Sequence, residues 1–187
     1  MIYLVSGFMR SGTSMMMRAL EAGGLVVAKD TARTEAMNAR WGEVDRPNAY
    51  LPNDDYYELL AEPHLNPEFP AAFDGKLVKV MYGGVIKLPP WNYRVVFMRR
   101  PARDIQISML AAFDDASAIC WRENFDSQIQ RIISILRDRR SFLSVDEVWY
   151  DEVLADPRKV LAALGWPIDV EGAAQVPNAT EKRFAHA

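Results

Sequence analysis

A short glycine-bearing segment near the start of the chain constrains its fold more than any other feature. Residues 7–14 read GFMRSGTS, after an apolar run at residues 2–5 and before residues 15–20, which favour a helix. A strand, a glycine-containing turn and a helix start bring free backbone N–H groups and the positive end of the helix dipole to one point. The sequence therefore predicts an anion-binding loop at the end of a buried strand.

This loop has the spacing of the phosphate loop of nucleotide triphosphatases but lacks its lysine. Thr13 follows Gly12 where that lysine would stand, and the nearest cation is Arg10, two residues before Gly12. Because the lysine reaches the β- and γ-phosphates of ATP, its absence predicts phosphate binding without ATP hydrolysis. A tight turn without a ligand is the alternative, although a mere turn needs neither a guanidinium nor hydroxyls.

Length, composition and charge narrow the class of protein. The chain has 187 residues, of which 50% are hydrophobic and 25% charged, so we expect one globular domain over residues 1–187. The net charge of −3 gives no global attraction to nucleic acid or to an anionic membrane. The single cysteine, Cys120, and the lack of an apolar run of ~20 residues favour a cytoplasmic protein without a transmembrane segment.

Apolar runs and amphipathic stretches alternate along the chain. This alternation predicts an α/β fold, a phosphate-loop-type three-layer sandwich with a mainly parallel β-sheet between helices. We expect strands at residues 2–5, 25–28, 76–81, 93–98 and 142–149, and helices at 13–22, 101–113, 121–140 and 151–164. The irregular residues 29–70 are too long for a plain connection and are expected to form a partly helical insertion that carries function.

A second basic element, RRPARDIQIS at residues 99–108, follows the strand predicted at 93–98. Arg100 and Ser108 lie eight positions apart across the predicted strand-to-helix turn. A guanidinium binds phosphate oxygens in bidentate fashion, and a serine hydroxyl adds a neutral donor. Two such elements on one sheet predict a ligand with two separated phosphates, whereas a basic surface cluster is the alternative.

Together these motifs resemble the sulfotransferase family that uses 3′-phosphoadenosine-5′-phosphosulfate (PAPS), and most closely its bacterial branch. Residues 8–14 are similar to the family's 5′-phosphosulfate loop, and Arg100 with Ser108 to its 3′-phosphate motif. Pro101 stands one place earlier than the family pattern, and if the proline is the anchor, Arg99 takes the arginine position. The resemblance covers most of the chain except residues 29–70, with further similar segments at residues 76–80, 148–157 and 161–167.

The resemblance implies in-line transfer of a sulfuryl group from PAPS to a hydroxyl or amine, with 3′-phosphoadenosine-5′-phosphate (PAP) as product and no metal. Arg10 would act in catalysis, and residues 29–70 would shape the acceptor site. The acceptor would be a small molecule, a glycan or a lipid. The residues implied in PAPS binding are Met9, Arg10, Ser11, Gly12, Thr13, Ser14, Arg99, Arg100, Ser108, Lys182 and Arg183.

Three side chains are candidates for the general base that would take the acceptor proton. Asp30 follows the second predicted strand, and Glu58 lies in an aromatic-Glu segment similar to one in the bacterial branch. His64 is the third candidate. Each works as a base only if burial or neighbouring groups adjust its pKa or hold the acceptor hydroxyl in place.

Two other functions stay open on the sequence alone. An ATP-dependent small-molecule kinase would need a magnesium-binding carboxylate and a loop lysine, and Thr13 argues against it. A non-catalytic module that binds PAP or another nucleotide would use the same loops without transfer.

Overall fold

The computed structural model describes residues 1–30, 35, 57, 59, 66–113 and 124–177, without the side chains of residues 111–113. The strands in this part of the chain are β1 (Ile2–Gly7), β2 (Leu77–Lys79), β3 (Tyr93–Arg99) and β4 (Phe142–Trp149). The helices there are α1 (Thr13–Ala22), α2 (Phe69–Phe73), α3 (Tyr82–Val85), α4 (Ala102–Phe113), α5 (Phe125–Asp138), α6 (Tyr150–Ala155), α7 (Pro157–Ala163) and α8 (Val170–Ala174).

The four strands form one parallel sheet in the order β2-β1-β3-β4. Strand β1 pairs with β3 from Ile2 opposite Tyr93 to Gly7 opposite Met98. Strand β2 lies on one side of β1 and β3 lies on the other. The direction in which successive strands are added to the sheet therefore reverses at β1. In open α/β sheets such a reversal leaves a crevice at the carboxyl ends of the strands, where ligands bind.

Alternate strand residues pack into two separate hydrophobic cores, one on each face of the sheet. Leu4 and Phe97 belong to the core that also contains residues of α4 and α5. Val5 and Val96 belong to the core that contains residues of α1, α6 and α7. Helices therefore cover both faces of a parallel sheet, and the predicted α/β fold is confirmed.

Several predicted elements match the structure closely. Helix α1 and strand β4 have the predicted bounds, whereas β3 is one residue longer and β2 covers only the middle of the predicted residues 76–81. The helix predicted at 121–140 is α5, and residues 121–123 lie outside the described residues. None of the described helices is long and apolar enough to cross a membrane.

The strand predicted at residues 25–28 is wrong: only Val27 pairs, in an isolated bridge to Leu77. This segment lies beside β2, which is itself only three residues long, and the side chain of Val26 is 64% exposed. The neighbouring strand is therefore too short to pair with more of this segment.

The single helix predicted at 151–164 is also wrong, because it divides into α6 and α7 at Asp156. The Asp156 carboxylate accepts a hydrogen bond from the Lys159 N–H at 3.1 Å and so caps α7. Pro157 is the first residue of α7, where its missing N–H costs nothing, and it disfavours helical geometry at the residue before it.

Candidate functional site

The loop that joins β1 to α1 crosses the end of β3 at close range. Gly7 has φ 149°, and a Cβ atom added there would lie 2.8 Å from the carbonyl oxygen of Met98. Gly12 has φ 98° and precedes the first residue of α1, Thr13, without any side chain capping the helix. The first N–H groups of α1 have no partner within the helix, so the two glycines bring a helix start to the carboxyl edge of the sheet.

Arg10 and Ser11 give this loop its shape. Arg10 has φ 65°, the only positive φ among the described non-glycine residues, which costs a residue with a Cβ about 1–2 kcal/mol. Ser11 is 1% exposed, and both its hydroxyl (2.7 Å) and its N–H (3.2 Å) donate to the carbonyl of Phe8. Ser11 therefore closes the loop on itself, a structural role that the sequence did not predict.

The two predicted phosphate elements meet in the structure. Arg10 donates from Nε to the Ser108 hydroxyl on α4 at 3.0 Å. Arg100 donates from Nη1 to the carbonyl oxygen of Arg10 at 3.2 Å. Arg10 therefore contacts Ser108 through its side chain and Arg100 through its backbone. Both partners belong to the second predicted motif, which follows β3.

The two adjacent arginines that the sequence left as alternatives have different surroundings. Arg99 is buried and bonds to Glu147 at 2.6 Å and to Asp126 at 3.1 Å, with its guanidinium 4.7 Å from the ring centre of Trp149. These contacts join β3 to β4 and α5, which is a structural role. Arg100 is the arginine beside the loop, so the geometry favours it as the anion-binding residue of the pair.

Tyr150, the first residue of α6, packs against both motifs. The Arg100 guanidinium lies 4.7 Å from the centre of its ring, and a Cβ atom added to Gly12 would lie 2.5 Å from Tyr150 Cδ2. Burial raises the pKa of the Tyr150 phenol, and the positive charge of Arg100 opposes that rise. Tyr150 is therefore a neutral wall of the site near pH 7.

Lys79 brings a further cation to the loop from the other neighbouring strand. It ends β2 and is 6% exposed, and its Nζ donates to the hydroxyl of Ser14 at 3.2 Å. A buried ammonium requires such partners. Lys79 is not among the site residues predicted from the sequence, although a lysine at the end of an apolar strand on the loop side of the sheet was a usable signal.

The remaining predicted residues are placed as follows. Met9 is exposed at the tip of the loop, whereas Thr13 is buried in the first turn of α1. Asp30 is half-buried and lies three residues after Val27, on the β2 side of the sheet. Four predicted residues lie outside the described part of the chain: Glu58, His64, Lys182 and Arg183.

The arrangement concentrates positive charge at one edge of a protein whose net charge is −3. Arg10, Arg100 and Lys79 surround the start of α1, which suits a phosphate or sulfate group. Among residues 1–30, 66–113 and 124–177, no group of histidine, cysteine and carboxylate side chains has the composition of a metal site.

A scan against protein-family models found no match to this chain, and a search of the curated proteins found none either.

Proposed function

We propose that this protein is a PAPS-dependent sulfotransferase that moves a sulfuryl group to a hydroxyl or amine of an acceptor. The observation that carries the proposal is the 3.0 Å hydrogen bond from Arg10 to Ser108. It joins residues 98 positions apart, which the family resemblance assigns to the 5′ and 3′ ends of one cosubstrate. A ligand with two phosphate groups explains why these two motifs converge.

In this proposal each end of PAPS has its own set of donors. The first N–H groups of α1 and the Arg10 guanidinium hold the 5′-phosphosulfate, and Arg100 with Ser108 holds the 3′-phosphate. A serine hydroxyl has one proton and two lone pairs. Ser108 can therefore accept the Arg10 bond and donate its proton to a phosphate oxygen at the same time.

The transfer step exchanges one S–O bond for another. The acceptor oxygen attacks sulfur opposite the oxygen that bridges sulfur to phosphorus, and that S–O bond breaks with both electrons going to PAP. Arg10 and Lys79 stabilise the negative charge that develops on the departing phosphate, because fixed cations need no reorganisation during the reaction. The acceptor proton goes to a base, for which Asp30, Glu58 and His64 are the candidates.

One observation favours a second candidate function, an ATP-dependent kinase. Lys79 contacts Ser14 at the start of α1 and so places a lysine beside a loop that lacks one in its own sequence. The Arg10–Ser108 pair has no role in that scheme, and for this reason the sulfotransferase is preferred.

A transfer assay with sulfur-labelled PAPS and a panel of hydroxyl acceptors tests the proposed function. We expect wild-type protein to label at least one acceptor class and Arg10→Ala to lower that rate about a hundredfold or more, the effect of losing a transition-state donor. Arg131→Ala removes the same charge from the exposed face of α5 and should retain the wild-type rate. Wild-type turnover by Arg10→Ala, or no transfer to any acceptor, would contradict the proposal.

A further inference from the structure

Two hydrogen bonds connect Arg10 to the motif that is assigned to the other end of the nucleotide. Its guanidinium donates through Nε to the Ser108 hydroxyl at 3.0 Å, and its carbonyl oxygen accepts from Arg100 Nη1 at 3.2 Å. The two bonds hold the side chain and the backbone of the same residue. Neither bond is required of a residue that only binds the 3′-phosphate, so both need a further explanation.

The backbone of Arg10 has a conformation that needs support from its surroundings. Its φ of 65° lies in the left-handed region, which disfavours a residue with a Cβ atom. Such residues persist where surrounding contacts fix them, and they are frequent at functional sites. The bond from Arg100 fixes the Arg10 carbonyl, and the bond to Ser108 fixes the direction of its guanidinium.

Both partners of this loop residue are themselves held in place. Ser108 is 1% exposed and lies on α4 next to Met109, a residue of the hydrophobic core. The Arg100 guanidinium lies 4.7 Å from the centre of the Tyr150 ring, and that ring packs against Gly12 just before α1. The second motif therefore provides a fixed frame that orients the loop residue.

We propose that Ser108 and Arg100 are positioning residues for Arg10, in addition to their contacts with the 3′-phosphate. They keep its guanidinium directed at the 5′-phosphosulfate, so the motif at one end of the nucleotide prepares the transfer step at the other. The inference rests on the proposed function, which supplies the two ends of PAPS and the role of Arg10 in the reaction. Catalytic groups that are held in place beforehand need no reorganisation during the reaction.

Adenosine 5′-phosphosulfate, which is PAPS without its 3′-phosphate, separates positioning from direct binding of that phosphate. If Ser108 served only the 3′-phosphate, Ser108→Ala would bind this probe as wild type does. We expect calorimetric titration to show about fivefold or greater weakening for Ser108→Ala and for Arg100→Met, as for loss of a charged hydrogen bond. Ser144→Ala removes a half-buried hydroxyl that bonds to Asp146 on β4, which does not adjoin β1, and should leave the affinity unchanged.

A double-mutant cycle shows whether the effect of Ser108 passes through Arg10. In the Arg10→Met background, Ser108→Ala should cause no further loss of affinity for the probe, because the residue that it positions has lost its guanidinium. At saturating PAPS, Ser108→Ala should also lower kcat about tenfold, whereas loss of ground-state binding alone raises KM and leaves kcat unchanged. All titrations are made well below the unfolding midpoint of each variant, so that only folded protein is compared.

Each result decides between positioning and simple binding. Wild-type affinity for the probe in either single variant would overturn the positioning role of that residue. Additive losses in the cycle, or an unchanged kcat, would overturn it for Ser108. Wild-type protein that binds PAP but not the probe would overturn the inference and leave the proposed function standing, because a loop held in place binds the 5′ group alone. Wild-type protein that binds neither nucleotide would overturn the proposed function itself.

Discussion

Two neighbouring arginines at the end of β3 show how one position in the chain decides a residue's role. Arg99 is the last residue of the strand, and its guanidinium lies between the carboxylates of β4 and α5. Arg100, the next residue, lies on the loop and on Tyr150 instead. Arg99 therefore connects β3 to β4 and α5, whereas Arg100 lies at the crevice, where a ligand can reach it.

We expect substitution by methionine to separate these roles. Arg99→Met should lower the free energy of unfolding by about 2–4 kcal/mol, because the largely buried Glu147 loses its close partner. Arg100→Met should change stability by less than about 1 kcal/mol but weaken PAP binding tenfold or more. Urea unfolding and calorimetric titration of both variants measure the two effects. The opposite pattern would show that Arg99 is the ligand residue.

Among single residues, the loop residues and Ser108 could be selected from the sequence as candidate site residues. Their spacing around a strand-to-helix turn is a local property. The sequence did not predict Lys79 or Tyr150, whose contacts with Ser14 and Arg100 depend on which strands are neighbours. The choice between Arg99 and Arg100 depended on the carboxylates opposite β3, which are also distant in sequence.

The elements of the site fit together through the contact between the start of α1 and the start of α6. Gly12 has no side chain, and the Tyr150 ring occupies the space where a Cβ atom would lie. Gly24 has nearly the same φ, 95° against 98°, but nothing lies within 4 Å of its Cβ position. The two glycines therefore share a positive φ and differ in what surrounds the Cβ position.

Alanine at each glycine separates strain from contact. Gly24→Ala should cost about 1–2 kcal/mol for a left-handed residue with a Cβ. Gly12→Ala should cost about 1–3 kcal/mol more, since the Tyr150 ring has to move, and it should also weaken PAP binding. Urea unfolding gives both costs. Equal destabilisation by the two variants would contradict the packing of Tyr150 on the loop.

The bounds of helices and strands were predicted correctly where the neighbouring residues contain the signals that begin and end them. Helix α1 ends at two glycines, and β4 is an uninterrupted run between two helices, so both bounds could be read from the sequence. The segment at 25–28 has strand composition but has only a three-residue strand to pair with. The division between α6 and α7 depends on the Asp156 cap, a signal that the sequence contains but that an apolar helical pattern conceals.

At the scale of the whole molecule, strand order assembles the site. With β1 between β2 and β3, the carboxyl ends of three strands bring Lys79, Arg10 and Arg100 to one edge of the sheet. The rest of the chain is acidic enough to leave the protein with a net charge of −3. Positive charge is therefore concentrated at this edge, although the chain as a whole is acidic.

Thermal unfolding with PAP, with ATP and magnesium, and with no ligand tests the central claim most directly. A ligand at ~100 times its dissociation constant adds about 2.7 kcal/mol of stability, which raises the midpoint by roughly 5–10 °C for a chain of this size. We predict that rise with PAP and none with magnesium-ATP. A rise with magnesium-ATP alone, or no rise with either nucleotide, would contradict the assignment of these two motifs to PAPS.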